Sequence, residues 1–140
     1  MNNLKSRRAF IVGLSSTKIT NKERHFLRKY KPWGVILFAR NIKSVDQTKK
    51  LTNDIKKIFK DSKYPILIDE EGGMVTRIRS IIDNSHFPAK YFGDNYKKDK
   101  TKSLLYLRTY IKQISHLLRY MGISINTVSY THLTLPTTRC

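Results

Sequence analysis

Short apolar runs alternate with segments of helical periodicity along most of the chain. The runs at residues 9–14, 33–39, 65–69 and 123–126 predict four strands. The second run, WGVILFA, is apolar on both faces, which is typical of a parallel strand covered on both sides. The first run predicts a buried strand as well.

Capping motifs mark the first two predicted helices. Thr20 and Glu23 form a capping box, in which each side chain satisfies a backbone N–H group of the other residue. Ser44 and Gln47 have the same spacing and predict a second box. Apolar residues recur at helical spacing after each box, so two amphipathic helices are predicted.

The remaining pattern predicts a loop and a longer helix. Residues 80–95 are predicted to be loop with one short helical turn, and residues 104–121 to form a long amphipathic helix that Gly122 ends. The resulting order is a series of βαβ units, which build a parallel sheet with right-handed crossovers. The predicted fold class is therefore α/β, with functional residues at the carboxyl ends of the strands.

Two predicted strand ends carry reactive side chains. Arg40 and Asn41 follow the second strand, and three consecutive acids, residues 69–71, follow the third. Neighbouring strand residues point to opposite faces, so Asp69 and Glu71 can share a side while Glu70 points away.

The residues after this acidic run leave its role open. Gly72 and Gly73 allow a sharp turn and the close approach of a ligand. Arg77 and Arg79 can pair with the acids or bind a ligand. In the structural alternative, a strand-end acid caps a helix and Arg77 neutralises it. A magnesium site is weakly indicated, because no further acid cluster completes an octahedron, and no metal site is predicted.

The composition raises the possibility of a nucleic-acid-binding function and argues against a disulfide-rich or membrane-spanning protein. Lys and Arg number 28 against 10 Asp and Glu, which gives a net charge of +18 and admits a basic nucleic-acid-binding domain. The lysines are spread out, however, as on solvated helix faces, so no specific nucleic-acid partner is predicted. Cys140 is the single cysteine, which excludes an internal disulfide framework. The apolar runs are too short to span a membrane.

The amino terminus contains a motif similar to an export signal. Ser6-Arg7-Arg8 precedes an apolar stretch and resembles a twin-arginine signal. That stretch ends at Leu14, where polar residues follow, and a signal peptide needs about 7–15 apolar residues and a small-residue cleavage site. The first-strand interpretation is preferred.

Two blocks and their spacing resemble a known family. PWGVILFARNI, then PILIDEEGGMVTRIR and HFPAKYFG, are similar to the amino-terminal part of glycoside hydrolase family 3, and particularly to bacterial β-N-acetylhexosaminidases of peptidoglycan recycling. The resemblance implies a partial (β/α)8 barrel of about four βα units. It also implies a cytoplasmic retaining exo-glycosidase that acts on a small carbohydrate without a cofactor.

The resemblance assigns two substrate-binding residues. Asp69 and Arg77 match family positions that hydrogen-bond the sugar, since a carboxylate accepts hydroxyl hydrogens and a guanidinium donates in a fixed fork. Glu70 stands where the family usually has glutamine, and Met74 where it usually has arginine, so the sugar and aglycone preference stays open. A β-glucosidase of the same family is the alternative enzyme.

The resemblance also indicates that the family's catalytic residues are missing from this sequence. The family's nucleophilic aspartate and its catalytic histidine motif have no counterpart here, so no catalytic residue is assigned and this fragment alone is predicted inactive. Residues 1–127 are assigned to the barrel. Residues 128–140, VSYTHLTLPTTRC, resemble the translation of a sequencing adapter, and we expect them to be non-biological.

Overall fold

The computed structural model describes residues 7–128. Within that range its elements are β1 (Arg8–Gly13), α1 (Asn21–Tyr30), β2 (Pro32–Leu37), α2 (Val45–Phe59), β3 (Ile66–Ile68), α3 (Ala89–Lys98), α4 (Lys100–Tyr120) and β4 (Ile125–Asn126). The twin-arginine-like stretch enters β1, so the first-strand interpretation is confirmed. The tail at 128–140 lies outside the described residues except for its first residue.

The four strands form one parallel sheet in the order β1-β2-β3-β4. A doubly wound sheet reverses its strand order near the middle, whereas a barrel adds each strand beside the previous one. The observed order is that of a barrel, and the predicted α/β class is confirmed. Parallel pairing also brings the carboxyl ends of the strands to one edge.

Side-chain caps start the first two helices. At α1, the Glu23 amide donates to Thr20 Oγ1 at 3.2 Å and the Thr20 amide donates to Glu23 Oε2 at 2.8 Å, which confirms the first capping box. At α2, Ser44 Oγ accepts from the Gln47 amide at 3.3 Å. The Gln47 side chain accepts from the Lys43 amide instead of the Ser44 amide, so the second box is only half formed.

The main hydrophobic core lies between the sheet and its helices. Its buried members include residues of β2, β3, α2 and the end of α4: Val35, Leu37, Leu51, Ile55, Ile66, Ile68, Leu118 and Met121. The opposite face of the sheet is less covered, and Ile11 on β1 is 45% exposed. The prediction that β1 is buried is therefore wrong, because β1 is an edge strand that pairs only with β2 among the described residues.

The prediction for residues 80–95 is also wrong in part. Ten residues, Ala89–Lys98, form α3. Gly93 and Asn95 are weak helix formers and obscure the helical pattern, but Phe92 is buried and its ring lies 5.3 Å from that of Tyr110 on α4. Helix α4 begins at Lys100 because the Asp99 carboxylate accepts from the Lys102 amide at 3.0 Å.

Candidate functional site

The acidic run lies at the carboxyl end of β3 and begins a loop. Glu70, the second acid of the run, anchors this loop. Glu70 is 3% exposed. Its Oε2 accepts hydrogen bonds from the amides of Arg77 at 2.6 Å and Ile78 at 3.3 Å, and Oε1 accepts from Asn84 Nδ2 at 3.4 Å. Glu70 therefore ties the far side of the loop to the end of the strand, and its carboxylate is occupied by the protein.

The backbone of Glu70 is fixed by the neighbouring strand. The Glu70 amide donates to Asn126 Oδ1 at 3.0 Å, and Asn126 Nδ2 donates to the Glu70 carbonyl at 2.9 Å. This pair replaces the ladder bonds that end with β3 and β4. Sequence reasoning assigned no role to Asn126 or Asn84, although a polar residue at the end of an apolar strand is a signal that could have identified Asn126.

The two glycines form the tight turn that follows. Gly72 and Gly73 have φ values of +74° and +69°, a region that side chains other than glycine rarely adopt. A Cβ atom on Gly72 would lie 2.6 Å from the Phe87 carbonyl oxygen. Met74 at the tip of the turn is 93% exposed. The turn is thus packed on its inner side and open on its outer side.

Asp69 and Arg77, the predicted substrate-binding residues, are brought together. Arg77 Nη2 lies 3.3 Å from Asp69 Oδ2. The other carboxylate oxygen, Asp69 Oδ1, and the Arg77 Nε atom are both buried and have no hydrogen-bond partner within residues 7–128. An unpaired buried polar atom is costly unless a ligand or water completes it. The pair therefore contains one acceptor and one donor that no residue in the range 7–128 satisfies.

Phe38 at the end of β2 forms an apolar wall beside this pair. The Arg77 guanidinium carbon lies 5.6 Å from the centre of the Phe38 ring, and that of Arg40 lies 4.6 Å from it. Arg40 Nε donates to the Leu14 carbonyl at 2.8 Å, which ties β2 to β1. A polar pair beside an aromatic face can bind a sugar ring, which has hydroxyl edges and apolar faces.

Asn41, the other residue predicted at this strand end, has a structural role. It is fully buried. Its Nδ2 donates to the carbonyls of Leu14 at 3.1 Å and Ser16 at 2.8 Å, and its Oδ1 accepts from the Phe38 amide at 2.9 Å. Three protein hydrogen bonds occupy the amide, so Asn41 shapes the site without presenting a group to it.

One titrating group lies under the loop. The pKa of Tyr110 is raised above its ordinary value by burial, and the nearby charge of Glu70 adds to the effect.

Within residues 7–128, no three His, Cys, Asp or Glu side chains are grouped closely enough to bind a metal ion. A search of the same residues for a helix with the length and hydropathy of a membrane span finds none.

Comparisons with known proteins identify relatives of this chain. No protein-family profile matches it. A β-hexosaminidase from Xanthomonas axonopodis is 29% identical over 118 residues, which are 83% of this chain and 34% of that protein. A β-hexosaminidase from Alkalilimnicola ehrlichii is 39% identical over 71 residues, or 49% of this chain and 20% of that protein. The chain thus spans about a third, or less, of the length of these relatives.

The fold has matches among solved structures. NagZ from Neisseria gonorrhoeae in complex with zinc ion matches with a TM-score of 0.77 and 25% identity, over 88% of this chain and 37% of that one. The same protein in complex with N-trifluoroacetyl-D-glucosamine matches with a TM-score of 0.57 and 30% identity, over 66% of this chain and 26% of that one. The resemblance predicted from the sequence is confirmed.

Proposed function

We propose that this chain, a relative of the bacterial β-hexosaminidases in sequence and fold, is part of a β-N-acetylglucosaminidase. The enzyme would remove terminal β-N-acetylglucosamine from peptidoglycan fragments in the cytoplasm. The observation that carries this proposal is the Asp69–Arg77 ion pair, in which one buried acceptor and one buried donor have no hydrogen-bond partner among the described residues. The relatives' names indicate hexosaminides as substrates, and one matched structure contains an N-acylated glucosamine.

The residues at this strand end have a binding role in the proposal. Asp69 Oδ1 accepts from one hydroxyl of the terminal sugar, and Arg77 Nε donates to an adjacent oxygen. Both bonds are charge-assisted, which makes them stronger than neutral ones. Glu70 holds the loop so that the pair keeps its separation, and the Phe38 ring lies against an apolar face of the sugar.

The bond-breaking groups belong to parts of the enzyme that this chain does not contain. A retaining glycosidase needs a nucleophile and a proton donor on opposite sides of the glycosidic bond. We assign neither within residues 1–127, which we propose to be the first four βα units of the barrel. We propose that residues 128–140 are not part of the natural protein, and sequencing the locus through the codon of Thr127 tests this directly.

The function is tested in the longer protein that such sequencing would supply. Asp69→Ala removes a charged hydrogen-bond acceptor, which contributes about 1.5–3 kcal/mol per bond. We expect kcat/KM on a chromogenic N-acetylglucosaminide to fall by roughly 10- to 150-fold for each hydrogen bond lost. Asp83→Ala is the matched control, since Asp83 lies in the same loop but its side chain is 51% exposed. Equal rates for the two variants would refute the assignment.

Two measurements separate the alternatives. A higher kcat/KM on a chromogenic β-glucoside than on the N-acetylglucosaminide would favour a β-glucosidase. Tight DNA binding that persists in salt would favour the nucleic-acid-binding class, whereas we expect weak binding that falls steeply with salt.

A further inference from the structure

A concave site lies away from the Asp69–Arg77 pair. It is a cavity of about 280 Å³ between α3, α4 and the segment before α3. Five aromatic side chains define it, and we call it the aromatic pocket: Phe87, Tyr91, Phe92, Tyr106 and Tyr110. None of its lining residues is charged, although 27% of the residues in the chain are charged. Such a lining disfavours ionic ligands, because the pocket offers no counter-charge.

The rings of the pocket brace one another. The Phe87 ring centre lies 5.7 Å from that of Tyr110 and 5.5 Å from that of Tyr91, the latter edge to face. These are favourable distances for aromatic pairs. Tyr106 has no ring partner within the described residues and is 56% exposed at the rim. The pocket therefore has a packed wall and one free ring face.

The lining of the pocket also contains polar groups. The hydroxyl groups of Tyr91, Tyr106 and Tyr110 and the amide of Gln113 make no hydrogen bond to any residue in the range 7–128. A ligand that fills the pocket must therefore present apolar faces to the rings and hydrogen-bonding groups at its edges. Its volume is sufficient for one six-membered ring with small substituents.

We propose that the aromatic pocket binds a neutral pyranose, as a second carbohydrate site. A pyranose has C–H faces and hydroxyl edges, and it carries no charge. A purely apolar ring would leave the tyrosine hydroxyls and the Gln113 amide without partners, and an ionic sugar would lose solvation with no compensating charge. The proposal depends on this lining alone and not on glycosidase activity.

The pocket also adjoins the acidic loop. Asn84 is one of its lining residues and donates to Glu70 Oε1 at 3.4 Å. A Cβ atom on Gly72 would lie 3.1 Å from the Tyr110 hydroxyl oxygen. A bound sugar would contact the framework that holds Asp69 and Arg77, yet neither of those residues lines the pocket.

Saturation-transfer NMR on the full chain tests the proposal, because it observes the ligand and tolerates any oligomeric state. The probes are methyl β-N-acetylglucosaminide, methyl β-glucoside, glucuronic acid and phenol. The variants are Tyr106→Ala at the rim, Asp69→Asn at the other site, and Tyr120→Ala as a control. Tyr120 is a tyrosine on the same helix, 53% exposed and outside the pocket.

We expect both neutral sugars to bind the Asp69→Asn variant. In that background Tyr106→Ala should weaken binding roughly two- to tenfold, as loss of one ring contact implies, while Tyr120→Ala should leave it unchanged. Sugar binding that Asp69→Asn abolishes and Tyr106→Ala does not affect would overturn the second site but leave the proposed function intact. Tyr106-dependent binding of phenol or glucuronic acid without binding of neutral sugars would overturn the ligand class.

Discussion

Replacing Glu70 by alanine should destabilise the protein far more than replacing it by glutamine. The alanine variant leaves the amides of Arg77 and Ile78 without their acceptor. Ile78 is fully buried and Arg77 partly so, and each buried donor without a partner costs about 1–3 kcal/mol. Water can reach only the more exposed of the two, so we expect a loss of about 2–4 kcal/mol in the free energy of unfolding.

Glutamine can keep all three contacts. Its side-chain oxygen can replace Glu70 Oε2 and accept from both backbone amides. Its NH2 group would face Asn84 Nδ2, so the Asn84 amide must rotate to present its oxygen, which changes no backbone atom. What remains is the loss of charge assistance, and we expect Glu70→Gln to cost less than about 1 kcal/mol.

Urea unfolding followed by circular dichroism measures both free energies at one protein concentration. Asp83→Ala serves as the control, because that carboxylate is exposed in the same loop. Amide hydrogen exchange adds a local measurement: protection at Arg77 and Ile78 should fall in Glu70→Ala and persist in Glu70→Gln. If the two substitutions destabilise equally, the anchoring role is wrong; if alanine matches the control, the loop is held by other contacts.

Three further predictions concern the whole chain, the turn and the response to acid. The 140-residue chain should not hydrolyse a chromogenic N-acetylglucosaminide. It should also self-associate through the open edges of its sheet, which light scattering would detect. A monomer that unfolds cooperatively, or measurable turnover, would contradict the partial-barrel assignment. Gly72→Ala should destabilise the protein by at least about 1 kcal/mol, because the added Cβ would lie 2.6 Å from the Phe87 carbonyl oxygen and φ is +74°. Gly93→Ala on α3 is the control: its Cβ would contact nothing within 4 Å, and the substitution should stabilise the helix. Equal melting temperatures for the two variants would refute this prediction. In the folded protein, the hydrogen bond from the Lys63 amide, helped by Arg7 and opposed by partial desolvation, lowers the pKa of Asp61. The ionised Asp61 therefore stabilises the fold above its unfolded pKa of about 3.9, and this stabilisation is lost as pH falls through the lower folded pKa. Asp61→Asn should flatten the acid end of a profile of melting temperature against pH.

The sequence predicted the sheet well because its signals are local. Four apolar runs, the Thr20 cap and Gly122 at the end of α4 are each visible within a few residues, and the structure confirms them. Helix α3 was missed because its stability comes from contacts between distant residues. Its Phe92 packs on Tyr110, and its Phe92 carbonyl accepts from Ser103 Oγ at 2.9 Å. The exposure of β1 was also unpredictable from its own pattern, since it depends on which strands flank it.

The acidic run shows where sequence reasoning about the site stops. The alternation of strand side chains predicted that Asp69 and Glu71 share a side while Glu70 points away, but β3 ends at Ile68 and the carboxylates of Asp69 and Glu70 both bond to Arg77. It could not predict that loop amides would saturate one carboxylate, because those amides come from residues seven and eight positions later. Glu70 directs its carboxylate bonds to the protein, whereas Asp69 keeps one buried oxygen that no described residue satisfies. Burial and hydrogen-bond partners, and not residue type, therefore distinguish the two acids. Glu70 holds the loop, whereas Asp69 keeps a buried oxygen without a partner within residues 7–128, which supports the binding role that we propose for Asp69 and Arg77.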